Sequence, residues 1–115
     1  MLLKVLYAKI HRATITDANT DYVGSITIDR GLMDASGLTS GQCVLVADLA
    51  NGERFETYVI EGPPGTICIN GAAARLVNVG DLVIVMAFAY VTPSEARDLK
   101  PRIVHVDADN RIIAG

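Results

Sequence analysis

Apolar and polar residues interleave along residues 2–16. One parity carries Leu3, Val5, Tyr7, Lys9 and His11; the other carries Leu2, Lys4, Leu6, Ala8, Ile10 and Arg12. A two-residue period is that of a β-strand, so Lys9 and His11 are expected on one side of it. Asp-Ala-Asn-Thr-Asp at residues 17–21 has the composition of a turn. Residues 22–29 resume a strand pattern with Gly24 inside it. A glycine in a strand marks a bulge, a bend or a close backbone approach. Asp29 is placed to cap a short helix over residues 30–36, with Gly37 as its stop.

Residues 42–49 and 54–60 are β-rich runs that flank Ala50-Asn51-Gly52-Glu53. Asn-Gly between two such runs is a strong hairpin signal. Pro63 and Pro64, between Gly62 and Gly65, predict a loop. A short strand over residues 66–69 leads to a turn at Asn70-Gly71-Ala72-Ala73-Ala74, then to one helical turn. Val79-Gly80-Asp81 is a further turn. Residues 82–91 are continuously apolar, which predicts a strand buried on both faces. Thr92 and Pro93 read as the cap and first residue of a brief helix. Residues 102–106 form a last strand, and Asp109-Asn110 a turn. Many short strands with closely spaced turns predict a mainly β fold, a small barrel with short helices.

The chain has 115 residues, the size of one domain. Half the residues are hydrophobic and mean hydropathy is +0.34, which excludes a disordered tail. So much apolar content on a small body points to surface covered by further copies of the chain. The formal charge is −3, with no basic run, so the footprint of a nucleic-acid binder is missing. Lys4 and Lys9 interrupt the apolar start, unlike a signal-peptide core, and the ten apolar residues 82–91 fall short of the ~20 of a membrane helix. Cys43 and Cys68 show no metal-ligand spacing and are expected to be buried or bystander thiols in a reducing cytoplasm.

Conventional catalytic patterns are absent. His11 and His105 lie far apart in sequence without metal-ligand spacing, and there is no nucleophile elbow, phosphate loop or dinucleotide fingerprint. One dipeptide can do chemistry on its own. In Tyr22-Val23-Gly24-Ser25 the Ser25 hydroxyl can attack the Gly24 carbonyl and turn the amide into an ester. Loss of the Ser25 α-proton then expels the Gly24 carboxylate and leaves dehydroalanine, which hydrolyses to a pyruvoyl group. The reaction needs strain at the peptide and a donor for the developing oxyanion. Gly-Ser alone is a common composition, as Gly37 and Gly41 with their serine neighbours illustrate.

Five segments in order carry more. Lys9-Ile10-His11-Arg12-Ala13, Tyr22-Val23-Gly24-Ser25, Asn51-Gly52-Glu53-Arg54-Phe55-Glu56-Thr57-Tyr58, Asn70-Gly71-Ala72-Ala73-Ala74 and Val79-Gly80-Asp81-Leu82-Val83-Ile84 together resemble the aspartate 1-decarboxylase family. The resemblance spans residues 1–109. It implies a six-stranded double-psi β-barrel over residues 1–115, cleaved between Gly24 and Ser25 into a β chain (1–24) and an α chain (25–115). It implies a cytoplasmic homotetramer with sites between subunits. It also implies pyruvoyl-dependent conversion of L-aspartate to β-alanine and carbon dioxide for pantothenate and coenzyme A synthesis. The substrate amine forms a Schiff base with the Ser25-derived ketone, which accepts the electrons released as carbon dioxide leaves. Neither metal nor pyridoxal phosphate is implied. Some members need a helper protein to mature.

By matching position, the resemblance assigns Arg54 and Lys9 to the two substrate carboxylates, and Tyr58 as proton donor to the carbanion. Thr57 would hydrogen-bond the Gly24 carbonyl during self-cleavage and later contact substrate. Arg54 and Tyr58 share a strand parity and Thr57 does not, so a bulge or twist is expected to reconcile them. Gly71, Ala72 and Ala73 would lie along the substrate, where small side chains permit close approach. Asn70, Tyr22 and His11 would support the site's polarity, whereas His105 and Tyr7 read as structural. Two departures stand out: Arg75 where histidine is frequent, and Val23 where many members have glutamate. A non-catalytic small barrel, with a permanently intact chain, is the competing reading. A decarboxylase for another acidic amino acid is a third.

Overall fold

The computed structural model describes residues 1–115. Nine strands make up one mixed sheet. They are β1 (Leu3–Thr14), β2 (Asp17–Asn19), β3 (Ser25–Asp29), β4 (Cys43–Asp48), β5 (Arg54–Gly62), β6 (Ile67–Asn70), β7 (Leu82–Val91), β8 (Arg102–Val106) and β9 (Ile112–Ile113). Six have five or more residues, and β2, β6 and β9 are shorter. Helices α1 (Arg30–Ser36) and α2 (Pro93–Asp98) and a 3-10 helix over Gly71–Leu76 connect them. The protein is mainly β with short helices, as its pattern predicts.

The strand order is β2-β6-β3-β5-β4-β7-β1-β8-β9. β3 runs parallel to β5 and antiparallel to β6, and β1 runs parallel to β8 and antiparallel to β7. Parallel neighbours exclude an up-and-down meander and agree with the crossed strands of a double-psi barrel. Only Ile15 and Thr16 separate β1, near one end of the order, from β2 at the other. The Thr16 N–H donates to the Ile67 carbonyl at 2.8 Å, and the Ile67 N–H donates to Thr16 Oγ1 at 3.0 Å. The chain thus brings the two ends of the sheet together.

Local chemistry explains the turns. Asp29 Oδ1 accepts from the N–H of Gly31 at 2.7 Å and caps α1, which Gly37 ends with φ +81°. Thr92 and Glu95 form a reciprocal capping box at α2. Gly52, φ +76°, turns the β4–β5 hairpin.

The inner face of the sheet is dry. Ile10, Ile26, Ile28, Val46, Ile67, Ile69, Val83 and Val85 are fully buried within a core of 21 residues. The opposite face is not. Leu45, Ile84 and Met86 remain half exposed. Residues 82–91 are therefore buried on one face only, contrary to the expectation from their unbroken apolar run. Val83, Val85 and Ala87 point into the core, while Ile84, Met86 and Phe88 line the open face.

Other expectations need correction. Residues 22–24 are not strand: β3 begins at Ser25. Part of the turn at residues 17–21 is the short strand β2, which pairs with β6. The helical turn after Asn70 is a 3-10 helix of six residues. β9, after the turn at Asp109-Asn110, escaped the sequence pattern because two residues show no period. Parity in β1 also breaks: the register slips between His11 and Ala13, where Arg12 takes φ +66°. Arg12 is exposed and Ala13 buried, so Arg12 does not share a face with Ile10.

Candidate active site

Ser25 opens β3 opposite Asn70, the last residue of β6. Both are almost sealed from solvent, at 1% and 3% exposure. Ser25 Oγ donates to the Val23 carbonyl at 3.2 Å and accepts from Asn70 Nδ2 at 3.0 Å. Gly71, φ +78°, lies directly against Gly24: a Cβ on it would stand 2.6 Å from the Gly24 Cα and 3.3 Å from the Tyr22 carbonyl. No side chain fits there. The Gly24–Ser25 peptide is thus held between a glycine that must be a glycine and an amide that grips the serine hydroxyl. Tyr22, Gly24, Ser25, Asn70 and Gly71 are brought together as expected, with Tyr22 itself exposed. Ala73 is half-buried against the core, and Ala72 is exposed.

Strand register places most of the remaining predicted residues on the open face. On β5, Phe55, Thr57 and Val59 alternate inward with Arg54, Glu56 and Tyr58 outward. Arg54 pairs Ala47 on β4, Ala47 pairs Ile84 on β7, and Ile84 pairs His11 on β1. Arg54 and His11 are therefore the ends of one cross-strand row floored by Ala47 and Ile84. Lys9 lies on the next such row, through Met86 and Leu45 to Glu56. Lys9 and His11 share a face, as their parity predicts. Ile26 pairs Val59 in the parallel β3–β5 ladder. Continued backwards, that ladder brings Ser25 level with Tyr58, on the outer face.

Register and contacts refine the remaining expectations. The β4–β5 register runs without a break from Cys43↔Tyr58 to Ala47↔Arg54, so no bulge reconciles Thr57 with Tyr58. Thr57 stays on the inner face, level with Gly24. Nor is Cys68 a bystander: its Sγ lies 3.2 Å from Asn70 Oδ1. Cys43 is exposed. Sequence reasoning also missed Thr27, whose Oγ1 accepts from Asn70 Nδ2 at 3.0 Å. The signal was available in principle, because Thr27 lies two residues from Ser25 and so on the same face. The His105 ring packs edge-on against His11 at 5.4 Å.

The electrostatics follow this layout. Burial, then the charges of Lys9, His105 and Arg12, holds the His11 imidazole below its ordinary range, and its Nδ1 is buried without a partner. Burial, then Asp17, pushes the Cys68 thiol up. At the base of the Arg54 hairpin, burial and then Asp81 raise Asp48, while a hydrogen bond from Asp48 lowers Asp81. No helix is long and apolar enough to cross a membrane.

A mainly β fold thus sets a Gly–Ser peptide with a buried serine beside a face bearing two cations and a tyrosine. The model of the aspartate decarboxylase family matches residues 1–113, and the chain belongs to that family, whose members are enzymes. A protein named aspartate 1-decarboxylase from Corynebacterium efficiens is 61% identical over 99% of this chain and 85% of its own length. One from Caldicellulosiruptor saccharolyticus is 57% identical over 98% and 90%, and one from Campylobacter hominis 52% over 98% and 99%.

Proposed function

We propose that the chain decarboxylates L-aspartate to β-alanine and carbon dioxide, using a pyruvoyl group made from Ser25, as a cytoplasmic step toward pantothenate. The observation that carries this reading is the Gly24–Ser25 peptide pinned between Gly71 and Asn70. In the first step the Ser25 Oγ–C bond to the Gly24 carbonyl forms, the Gly24 C–Ser25 N bond breaks, and the hydroxyl proton ends on the freed nitrogen. Loss of the Ser25 α-proton and departure of the Gly24 carboxylate then leave an enamine that water hydrolyses to the ketone, releasing ammonia. The residues present fit such a group: Ser25 itself is buried, Gly71 leaves room beside Gly24, and Asn70 supplies a donor.

The ketone supplies an electron sink for the pair left when carbon dioxide departs. The chain does the rest. Arg54 and Lys9 bind the two carboxylates, the guanidinium as a bidentate fork. Tyr58, on the same face as Ser25, returns a proton to the carbon that lost carbon dioxide. Thr57, level with Gly24 on the inner face, serves peptide cleavage rather than substrate contact. Ala72 and Ala73 leave room along the substrate, with His11 and Tyr22 at its margin.

Within one chain, three strand steps separate Lys9 on β1 from Arg54 on β5, on the order of 14 Å at the usual strand spacing. A half-exposed apolar floor lies between them. Both points support a site completed by a neighbouring copy in a homotetramer. Intact mass spectrometry tests the core of the reading. The wild-type chain should yield fragments of 24 and 91 residues, and Ser25→Ala should leave one uncut chain releasing no carbon dioxide from aspartate. An active preparation that stays continuous at Gly24–Ser25 would refute it.

A further inference from the structure

Ser25 and Thr27 on β3 face Asn70 and Cys68 on β6, each pair in direct register. The four side chains form a square on the outer face. Asn70 is its centre: Nδ2 donates to Ser25 Oγ and to Thr27 Oγ1, both at 3.0 Å, and Oδ1 faces Cys68 Sγ at 3.2 Å. An amide can sit either way round, and hydroxyls do not choose, because each can donate or accept. A thiol does choose, being chiefly a donor. We infer that Cys68 is a positioning residue for self-cleavage: its S–H fixes the orientation of the Asn70 amide, which holds the Ser25 hydroxyl in the rotamer that attacks Gly24.

The consequence is chemical. With the amide as placed, Ser25 Oγ accepts from Asn70 and turns its own proton to the Val23 carbonyl. With the amide reversed, Ser25 would spend that proton on Asn70 Oδ1 and lose the donor aimed at its oxygen. Burial and the Asp17 carboxylate, opposite Cys68 in the β2–β6 ladder, keep the thiol protonated and therefore able to donate. Asn70 is 3% exposed, so loss of the thiol leaves its amide oxygen a partner short.

This inference rests on the self-cleavage reading, and one experiment separates the two. Full-length chain is purified soon after induction, and the cut fraction is followed by intact mass. Cys68→Ala and the space-filling Cys68→Val should slow cleavage about tenfold, the scale of one buried hydrogen bond. Cys68→Ser, which restores a donor, should cut within about twofold of wild type. Cleavage of the Ala and Val variants at the wild-type rate overturns the inference alone. So does a Ser variant as slow as Ala, which would assign the effect to the sulfur's bulk. An uncut wild-type chain removes the underlying reading and this one with it. Thermal melting of each variant distinguishes slow chemistry from lost structure.

Discussion

The two faces of this sheet are built from the same strands and have opposite fates. The inner face is closed: isoleucines and valines from seven strands interlock with almost no solvent exposure. The outer face is left unfinished. It carries Lys9, His11, Arg54 and Tyr58 over half-covered Leu45, Ile84 and Met86, with Ser25 buried at its margin. A strand's alternation makes this division possible, because every second residue is free of the packing constraint. Stability and chemistry are thereby separated by a rotation of about 180° per residue. Thr57 and Asp48 test the rule, polar residues on the closed side.

Substitutions on the two faces should therefore fail in different currencies. Ile28→Ala, on the inner face of β3, should lower unfolding free energy by about 2–5 kcal/mol, the usual cost of such a cavity. Denaturant titration of the cleaved enzyme measures it, and turnover per folded molecule should change little. Arg54→Ala, on the outer face, should do the reverse. Turnover on aspartate should fall on the order of a hundredfold, about 2.7 kcal/mol at the transition state. The melting temperature and the cut at Gly24–Ser25 should stay near wild type. If Arg54→Ala instead blocks cleavage or unfolds the chain, the two faces are not independent.

His11 should give the smallest and most informative effect. Its folded pKa lies below its ordinary value of 6.5, so the unfolded chain takes up the proton first as pH falls. The stability it contributes is complete above that value and is lost as pH drops through it toward the folded pKa. Melting temperatures across pH 5–8 should thus fall less steeply in His11→Gln than in wild type on the acid side. An identical slope would show that the imidazole is as free to charge in the fold as outside it.

Much of the frame was legible in residue order. The Asp29 cap, the Gly37 stop, the Asn51-Gly52 hairpin and the Thr92-Pro93 start depend on a few neighbouring atoms, so short sequence carries them. Likewise the shared side of Lys9 and His11 needs only a two-residue period. Resemblance, rather than period, pointed to Ser25 and Arg54 among many similar residues. What escaped was non-local. The open side of residues 82–91 looked buried because an apolar run does not say which neighbours exist. The β2–β6 pairing, the slip at Arg12 and the unbroken β5 that holds Thr57 inward each depend on a partner strand.

Sequence by itself determined the inventory: which residues cap, turn, alternate and can react. Tertiary structure alone decided who faces whom. It set Gly71 against Gly24 and placed Cys68 and Thr27 around the amide that holds Ser25. The reason is physical. Hydrogen bonds act over about 3 Å, and residues 45 positions apart reach that distance only through the register of two strands.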